Sequence, residues 1–392
     1  MVEVAMLAVA NNPDLKLARV DLKLVHAQAF AAGLLPDPQF ALSADSPRPQ
    51  QSGLTTAFNA GISFDLGAMI ATPAKRAAAN ADVEKTDLAL LWQEWQVASQ
   101  AQQLFVKLRS LERLQALIGT MLDTQSRRYD LVDEARREGN LAADAIGPYL
   151  VAREDWRKQL ADVQRQRSQV QHDMAALLGL APDTHLDLVG PTDVPVIDES
   201  RVRQLLDHLS QRRPDLIALE AGYRGQDEKF RAAILAQFPA ITIGPTRARD
   251  TSDINTTGLA ASITLPIFNR NRGSIAIERA TREKLRQEYD PRLRAAYADV
   301  DRLLADQRLL EAQWRDARTT VPQLAHTVER AGAALNAHQI TINGFVDLQT
   351  ALAAREVEIL GLEQSVWGQR IAIGALLGGE LPASHDKDRL PR

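Results

Sequence analysis

The sequence predicts a mainly α-helical chain with a small β part, arranged as two structural repeats. Asn12-Pro13-Asp14-Leu15 recurs about 200 residues later as Arg213-Pro214-Asp215-Leu216. The two copies also close with similar segments, Ala175-Ala176-Leu177-Leu178-Gly179 and Gly374-Ala375-Leu376-Leu377-Gly378. Between these landmarks, each copy holds two short runs of alternating polarity and a very long stretch with few helix breakers. This pattern predicts one helix, one β-hairpin and one long α-hairpin in each repeat.

Composition limits the kinds of function that the chain can have. Its 392 residues are 45% hydrophobic and only 5% aromatic, and the formal net charge is −4. Because the chain is not basic, no positive field would attract nucleic acid. Cysteine is absent, which excludes disulfides, thiolate metal sites and a cysteine nucleophile. The sequence also lacks a nucleophile elbow and a phosphate-binding loop, so it predicts neither an enzyme nor a cofactor or metal site.

The first repeat is predicted over residues 1–180. Its elements are a helix over 2–33, strands at about 38–46 and 56–66, and a long helical hairpin over about 73–178 with its tip near 139–145. The first helix should end at Gly33, because Pro36 and Pro38 follow. Apolar and polar side chains alternate through the second run, which is typical of a half-buried strand. In the long stretch, apolar residues recur at three- and four-residue steps, as in a coiled-coil seam.

The second repeat is predicted over residues 201–379 and has the same order of elements. They are a helix, strands at about 239–245 and 257–267, and a long helical hairpin over about 274–377 with its tip near 339–347. A polar loop is expected between the strands, over 246–256. The Pro- and Asp-rich residues 181–200 predict a surface connector, and residues 380–392 predict a disordered tail.

Four strands in one chain would leave exposed sheet edges, which are prone to association. Three copies would supply twelve strands, a number that can close into a membrane barrel with an aqueous lumen. Small and hydroxyl side chains on one strand face suit the lumen, whereas Phe, Ile and Leu on the other face suit lipid. The sequence therefore predicts a trimer that forms a 12-stranded β-barrel continued by an α-helical barrel.

Three motifs carry a resemblance to a known family. They are the repeated Pro-Asp-Leu, Gly33-Leu34-Leu35-Pro36-Asp37-Pro38, and Leu265-Pro266-Ile267-Phe268-Asn269-Arg270-Asn271-Arg272-Gly273. Together they resemble the TolC-type outer-membrane efflux channels, the outer membrane factors of tripartite efflux systems. The resemblance extends over nearly the whole chain, and the Leu-Leu-Pro-Asp-Pro segment favours the heavy-metal efflux branch.

This resemblance implies a passive, homotrimeric conduit for small solutes such as drugs or metal ions. Its location would be the outer membrane, with the helices extending into the periplasm. The implied partners are two further copies of the chain, a periplasmic adaptor, an inner-membrane efflux pump of the RND type, and outer-membrane lipid. The channel itself would perform no chemistry.

The resemblance also gives the two helix–helix turns a function. In the family, the adaptor docks at these tips, where a glycine-centred motif is often followed six residues on by Asp. Gly139 fits the first tip, but Ala145 is the sixth residue after it and Asp144 comes one place early. At the second tip Asp347 lies six residues after Thr341, which stands where glycine would be.

The expected adaptor footprint is therefore Gly139, Asn140, Leu141, Thr341, Ile342 and Asn343. Asp144 and Asp347 are expected to line the channel aperture. Ordinary turn chemistry and helix capping are the alternative roles of these eight residues. His338, close to the second tip, is expected to be a helix-surface residue.

Two other kinds of protein share part of this pattern. A periplasmic adaptor has one long helical hairpin flanked by β-rich domains, whereas this chain has two hairpins and four strands. A cytoplasmic coiled-coil scaffold would explain the helices but neither the strands nor the repeat. No apolar run approaches the roughly 20 residues of a membrane helix, and no export signal follows Met1. We therefore expect the native precursor to begin further upstream with a signal sequence.

Overall fold

The computed structural model describes residues 1–48, 53–184, 186, 188–192 and 194–378. Its helices are α1 (Val2–Asn11), α2 (Pro13–Ala32), α3 (Leu66–Arg137), α4 (Gly147–Leu177), α5 (Glu199–Leu206), α6 (Leu209–Arg212), α7 (Pro214–Leu235), α8 (Arg272–Asn336) and α9 (Ile342–Leu376). Its strands are β1 (Gln39–Asp45), β2 (Ala57–Asp65), β3 (Ala240–Arg249) and β4 (Asn255–Thr264). The predicted tail at 380–392 and three positions of the predicted connector lie outside the described residues. None of the helices in the described part is long and apolar enough to cross a membrane.

The order of elements confirms the predicted fold class, mainly α with a small β part in two repeats. The helix predicted over 2–33 is nevertheless two helices. Asn12 interrupts it with an extended backbone, φ −51° and ψ 128°. Pro13 causes the break, because the residue before a proline is disfavoured in the helical conformation. The second copy breaks at the equivalent place, where Arg213 precedes Pro214 with φ −77° and ψ 117°.

The long helix of the first repeat begins earlier than the predicted 73. It starts at Leu66, directly after β2, because the Asp65 carboxylate accepts a hydrogen bond from the backbone N–H of Ala68 at 2.9 Å. This bond satisfies one of the free N–H groups of the first turn. Pro73 consequently lies inside α3 and does not mark its start.

The chain folds into two compact units, and each takes segments from both repeats. Among the described residues, the helical unit comprises Met1–Leu17, Gln93–Arg212 and residues 295–378. Large side chains fill its core, and those that are almost completely buried include Phe105, Leu108, Ile118, Met174, Val300 and Ile373. Such tight burial of branched and aromatic side chains is the main stabilising term for the helix packing.

The sheet unit comprises Ala18–Trp92 and Arg213–Arg294. Its buried helical residues are mostly small, and they include Ala71, Ala74, Ala78, Ala218, Ala221, Gly222 and Gly225. A Cβ atom at Gly225 would lie 3.1 Å from the Cβ of Ala81. The start of α3 and α7 therefore approach each other through surfaces that leave little room for larger side chains.

All four strands form one antiparallel sheet in the order β1-β2-β3-β4. Two strand limits differ from those predicted. The predicted loop over 246–256 contains the ends of both strands, because Thr246–Arg249 pair with Asn255–Gly258. Their side chains are mostly polar, which conceals strand pairing from a search for apolar alternation. β1 and β4 each have a partner on one side only within the described chain, so the sheet has two open edges.

Candidate channel wall and helical tips

The strand register gives the sheet two chemically different faces, because directly paired residues point to the same side. One face is mainly apolar and carries Phe40, Leu42, Ala44, Phe58, Ala60, Ile62, Phe64, Ile241, Ile243, Leu259, Ala261 and Ile263. The opposite face carries small and hydroxyl-bearing residues, among them Ala41, Ser43, Asn59, Gly61, Ser63, Thr242, Gly244, Thr246, Thr256, Gly258, Ser262 and Thr264. This division matches a wall between hydrocarbon and water.

The apolar face is uncovered in the single chain. Phe40 is 67% exposed, Leu42 is 68% exposed and Leu259 is 78% exposed. A contiguous exposed patch of this kind marks a surface that contacts a membrane or another protein. The face would therefore need an apolar environment that the described part of one copy does not supply.

One position of the polar face accepts only glycine. A Cβ atom added to Gly244 would lie 1.6 Å from the carbonyl oxygen of Ile62, which is far shorter than any van der Waals contact between the two atoms. On the neighbouring strand, a Cβ atom added to Gly61 would lie 3.0 Å from the methyl carbon of Thr246. The pairing of β2 with β3, which joins the two repeats, thus depends on the absence of a side chain at Gly244.

At the first tip, α3 ends with a glycine C-cap. Gly139 has φ +79°, in the left-handed region that favours glycine. Its N–H donates to the Arg136 carbonyl at 3.1 Å, and the Asn140 N–H donates to the Ala135 carbonyl at 2.8 Å. These two bonds satisfy carbonyl groups that the end of α3 would leave free.

The rest of the first tip is largely open to solvent. Asn140 is exposed, and its amide donates to the Glu138 carboxylate at 3.0 Å. Leu141 is half-buried, and Asp144 is exposed within a short 3₁₀ turn at Ala143–Ile146 that leads into α4. Asp144 makes no ion pair with the described part of the chain, so its carboxylate is available to solutes or partners.

The second tip uses histidine where the first uses glycine. His338 has φ +58°, and its N–H donates to the Leu335 carbonyl at 2.9 Å. The Gln339 N–H donates to the Ala334 carbonyl at 2.9 Å, as in the glycine cap. The counterpart of Gly139 is therefore His338, which corrects two expectations: Thr341 does not occupy the glycine position, and His338 is not a residue of the helix surface.

Thr341 instead caps the start of α9. Its hydroxyl oxygen accepts from the Gly344 N–H at 3.2 Å, which is the usual role of a threonine N-cap. A threonine directly before a long helical run is the sequence signal for this role. Ile342 and Asn343 form the first turn of α9 and are exposed, and Asp347 is exposed on the same helix.

Below the tips, contacts between distant segments fix the helices relative to each other. The Arg128 guanidinium lies 5.0 Å from the centre of the Phe345 ring and donates to the side-chain carbonyl of Gln349. Phe345 is buried, and so is Tyr149 near the start of α4. Sequence inspection did not single out these residues, because a contact between positions more than 200 residues apart leaves no local pattern.

A second cluster stabilises the last turns of α3. Asp133 is only 7% exposed, and its carboxylate accepts from Arg136 at 2.7 Å and lies 2.5 Å from Arg137. The hydrogen bond from Arg136, together with the positive charges of both arginines, holds the pKa of Asp133 below its usual value. The carboxylate is therefore ionised at neutral pH and ties the two arginines to the helix end.

Comparison with known proteins finds similarity to outer-membrane efflux and export proteins. The family model for "Outer membrane efflux protein" matches residues 205–379, which correspond to the second repeat. The "Pyoverdine export outer membrane protein OpmQ" of Pseudomonas putida is 25% identical, and the alignment covers 94% of this chain and 83% of that protein. The similarity to this relative extends over nearly the whole chain.

Solved structures share the fold. A membrane protein from Pseudomonas aeruginosa superposes with a TM-score of 0.82 at 19% identity, covering 96% of this chain and 90% of the other. The channel-forming protein CusC superposes with a TM-score of 0.78 at 20% identity, covering 96% and 91% of the two chains. The chain therefore shares the fold of these structures, and its second repeat matches the family of outer membrane efflux proteins.

Proposed function

We propose that the chain is the outer-membrane channel subunit of a tripartite efflux system and acts as a passive conduit for small solutes. The observation that carries this proposal is the four-stranded sheet with one exposed apolar face, one small polar face and two open edges. Its relatives are named as outer-membrane efflux and export proteins, and that family is one of transport proteins. The names of these relatives support the outer membrane as the location that we propose for the chain.

The assembly that we propose is a homotrimer. Pairing β1 of one copy with β4 of the next would remove both open edges, and three copies would close a ring of twelve strands. In that ring the apolar face contacts lipid and the polar face lines the water-filled lumen. The long helices of the three copies then continue the conduit into the periplasm as an α-helical barrel.

The partners that we propose are a periplasmic adaptor and an inner-membrane pump of the RND type. The adaptor docks at the tips formed by Gly139–Leu141 and Thr341–Asn343, where the side chains are mostly exposed. Asp144 and Asp347, also exposed, line the aperture at the same end. The pump selects the solute, because the hydroxyl-lined sheet face has little chemistry that would distinguish one small molecule from another. A role in heavy-metal efflux stays a prediction.

Conductance across a planar lipid bilayer tests the function directly. The purified protein should form a trimer in detergent and should produce discrete current steps when it is added to the bilayer. The Gly244→Val variant is the matched control, since it blocks the β2–β3 pairing and should give no current. A wild-type protein that stays monomeric and leaves the bilayer insulating would contradict the proposal.

Cysteine crosslinking tests the closure of the ring. Because the chain has no native cysteine, every disulfide that forms must come from the introduced residues. Ala41→Cys on β1 can be combined in turn with single cysteines at the polar-face positions of β4, from Thr256 to Thr264. The correct pair should link copies into species of two and three chains under oxidising conditions. The single variant Ala41→Cys should give no three-chain species.

A further inference from the structure

We propose that Arg247 and Arg249 form a binding site for the phosphate group of a membrane lipid headgroup. This inference rests on the proposed function, because it takes the apolar face of the sheet as the surface that contacts lipid. It assigns a ligand to two charged side chains that the conduit itself does not use.

The strand register places both arginines on the apolar face. Arg247 pairs with Ala60 and Thr257, and Arg249 pairs with Phe58 and Asn255. Among the described strand residues, these two are the only charged side chains on that face. The acidic strand residues Asp45 and Asp65 point to the other face, since their partners Ala57 and Thr242 are polar-face positions.

The position along the strands is that of a membrane interface. From Ile241 to Pro245 the apolar-face positions of β3 carry no charge, and Arg247 and Arg249 follow at its end. At about 3.3 Å per residue, Arg247 lies roughly 13 Å beyond Ile243. A charged side chain next to an apolar band is stable where its head group reaches the polar boundary of the bilayer. The two arginines thus lie where lipid headgroups begin.

The two guanidinium groups have capacity for an anion. Arg247 is exposed, and no carboxylate of the described chain pairs with it. Arg249 is half-buried, and its Nε lies 3.3 Å from the Asp253 carboxylate, which leaves its terminal nitrogens free to donate elsewhere. Two residues apart on one face, their backbones are about 7 Å from each other, so both side chains can reach one phosphate. Guanidinium binds phosphate oxygens in a bidentate manner, which favours this ligand over a neutral headgroup.

The surroundings favour a lipid over a free phosphate ion. The residue pair next to Arg247 toward the helices is Pro245 with Leu259, and Leu259 is largely exposed on the same face. An acyl chain attached to the phosphorylated headgroup would cover this surface and add apolar contact area. Inorganic phosphate has no acyl chain, so it would gain no binding energy from this apolar surface.

Native mass spectrometry of the purified trimer in dodecyl maltoside tests the site. The protein is titrated with bisphosphorylated lipid A and, separately, with lipid A from which both phosphates have been removed. We expect the phosphorylated form to bind at least roughly tenfold more tightly, as charge-assisted hydrogen bonds of this kind imply. The double variant Arg247→Gln, Arg249→Gln should lose that preference, whereas Arg330→Gln, a change at an exposed arginine of α8, should keep it.

Equal binding of the two lipid forms by the wild-type protein would overturn the proposal, even if the variants failed to assemble. Unchanged preference in an assembled double variant would overturn it as well. Inorganic phosphate that displaced the lipid at equal concentration would show a free-anion site and would also contradict the assignment to lipid. Bilayer conductance of the wild type separates this result from the proposed function, since a conducting trimer without lipid preference refutes only the lipid site.

Discussion

The side chain of Asn12 bonds to the carbonyl oxygen of Leu177, the last residue of α4, across 165 positions of sequence. Its Nδ2 donates to that carbonyl at 3.0 Å, while its Oδ1 accepts from the Leu15 N–H, also at 3.0 Å. Asn12 is only 4% exposed, so both bonds lie away from water. One amide therefore caps the start of α2 and the end of α4 and ties the α1–α2 break to the helical hairpin.

Replacing Asn12 should consequently destabilise the helical unit. We expect Asn12→Ala to lower the free energy of unfolding by about 1–3 kcal/mol, because two buried backbone groups lose their partner. The measurement is thermal unfolding followed by circular dichroism at 222 nm. Asn336→Ala, at the exposed end of α8, is the control and should change stability little. Equal midpoints for the two variants would show that the Asn12 bonds contribute nothing.

Two glycines with similar backbones should respond differently to the same substitution. Gly179 and Gly139 have φ +62° and φ +79°. A Cβ at Gly179 would lie 2.7 Å from the Asn11 carbonyl oxygen, whereas a Cβ at Gly139 meets no atom within 4 Å. Gly139→Ala should therefore cost only the backbone strain of about 1 kcal/mol, and Gly179→Ala should cost clearly more. Thermal midpoints measured side by side test this, and equal losses would contradict the steric argument.

The left-handed backbone at His338 predicts a stabilising substitution. His338→Gly should raise the free energy of unfolding by about 0.5–1 kcal/mol, since glycine adopts this conformation without strain. His338→Val should lower it, because a β-branched side chain is disfavoured there. In thermal unfolding, the midpoint of the glycine variant should lie above that of the wild type and the midpoint of the valine variant below it. A destabilised glycine variant would mean that the imidazole makes a stabilising contact in the assembled protein.

The repeat and the strand pattern in the sequence were sufficient to predict the fold class. Alternation of Phe58, Ala60, Ile62 and Phe64 is a local signal with a period of two, and the Pro-Asp-Leu motif marks equivalent helix starts. The strand ends at Thr246–Arg249 were missed, because their identity depends on pairing with another strand and not on their own composition. The start of α3 was missed for a similar reason. Asp65 is the last residue of β2, and nothing in its own identity shows that its side chain also caps the first turn of α3.

At the second helical tip, the sequence likewise did not show where the helix ends. Counting residues from Asp347 led to Thr341 as the counterpart of Gly139, but the position is set by where α8 ends, and that is at His338. The end of a helix depends on hydrogen bonds and packing over several residues, and a histidine gives no hint of a left-handed backbone. The residues exposed at both tips were nevertheless predictable, because turn residues and caps concentrate there.

The buried carboxylate of Asp133 predicts a pH dependence. Its pKa in the folded protein is lowered, first by the hydrogen bond from Arg136 and then by the charge of Arg137. A depressed folded pKa gives stability that is present above the unfolded value of about 4 and is lost as the pH falls further. Asp133→Asn should therefore reduce stability at pH 7 and flatten its decline between about pH 5 and pH 2. Asp130→Asn, at an exposed carboxylate of the same helix, should retain the wild-type pH dependence.

The proposed place of Asp144 and Asp347 at the channel aperture predicts that these two carboxylates govern ion selectivity. A trimer would place three copies of Asp144 and three of Asp347 at the helical end of the conduit, and both side chains are exposed in the single chain. The double change Asp144→Asn, Asp347→Asn should lower the preference for K⁺ over Cl⁻, because it removes the negative charge that raises the local cation concentration. Reversal potentials under a KCl gradient measure this preference in planar bilayers. The change should be largest at low ionic strength, since salt screens exposed charges.

Asp316→Asn, which removes an exposed charge of α8 outside the tips, provides the matched control and should leave the reversal potential unchanged. The alternative role of Asp144 and Asp347 is electrostatic stabilisation of the first turns of α4 and α9. That role predicts a lower thermal midpoint for the double variant with the wild-type ion preference. Selectivity and stability must therefore be measured on the same preparations, and an unchanged reversal potential together with reduced stability would assign the two carboxylates to the helices and not to the aperture.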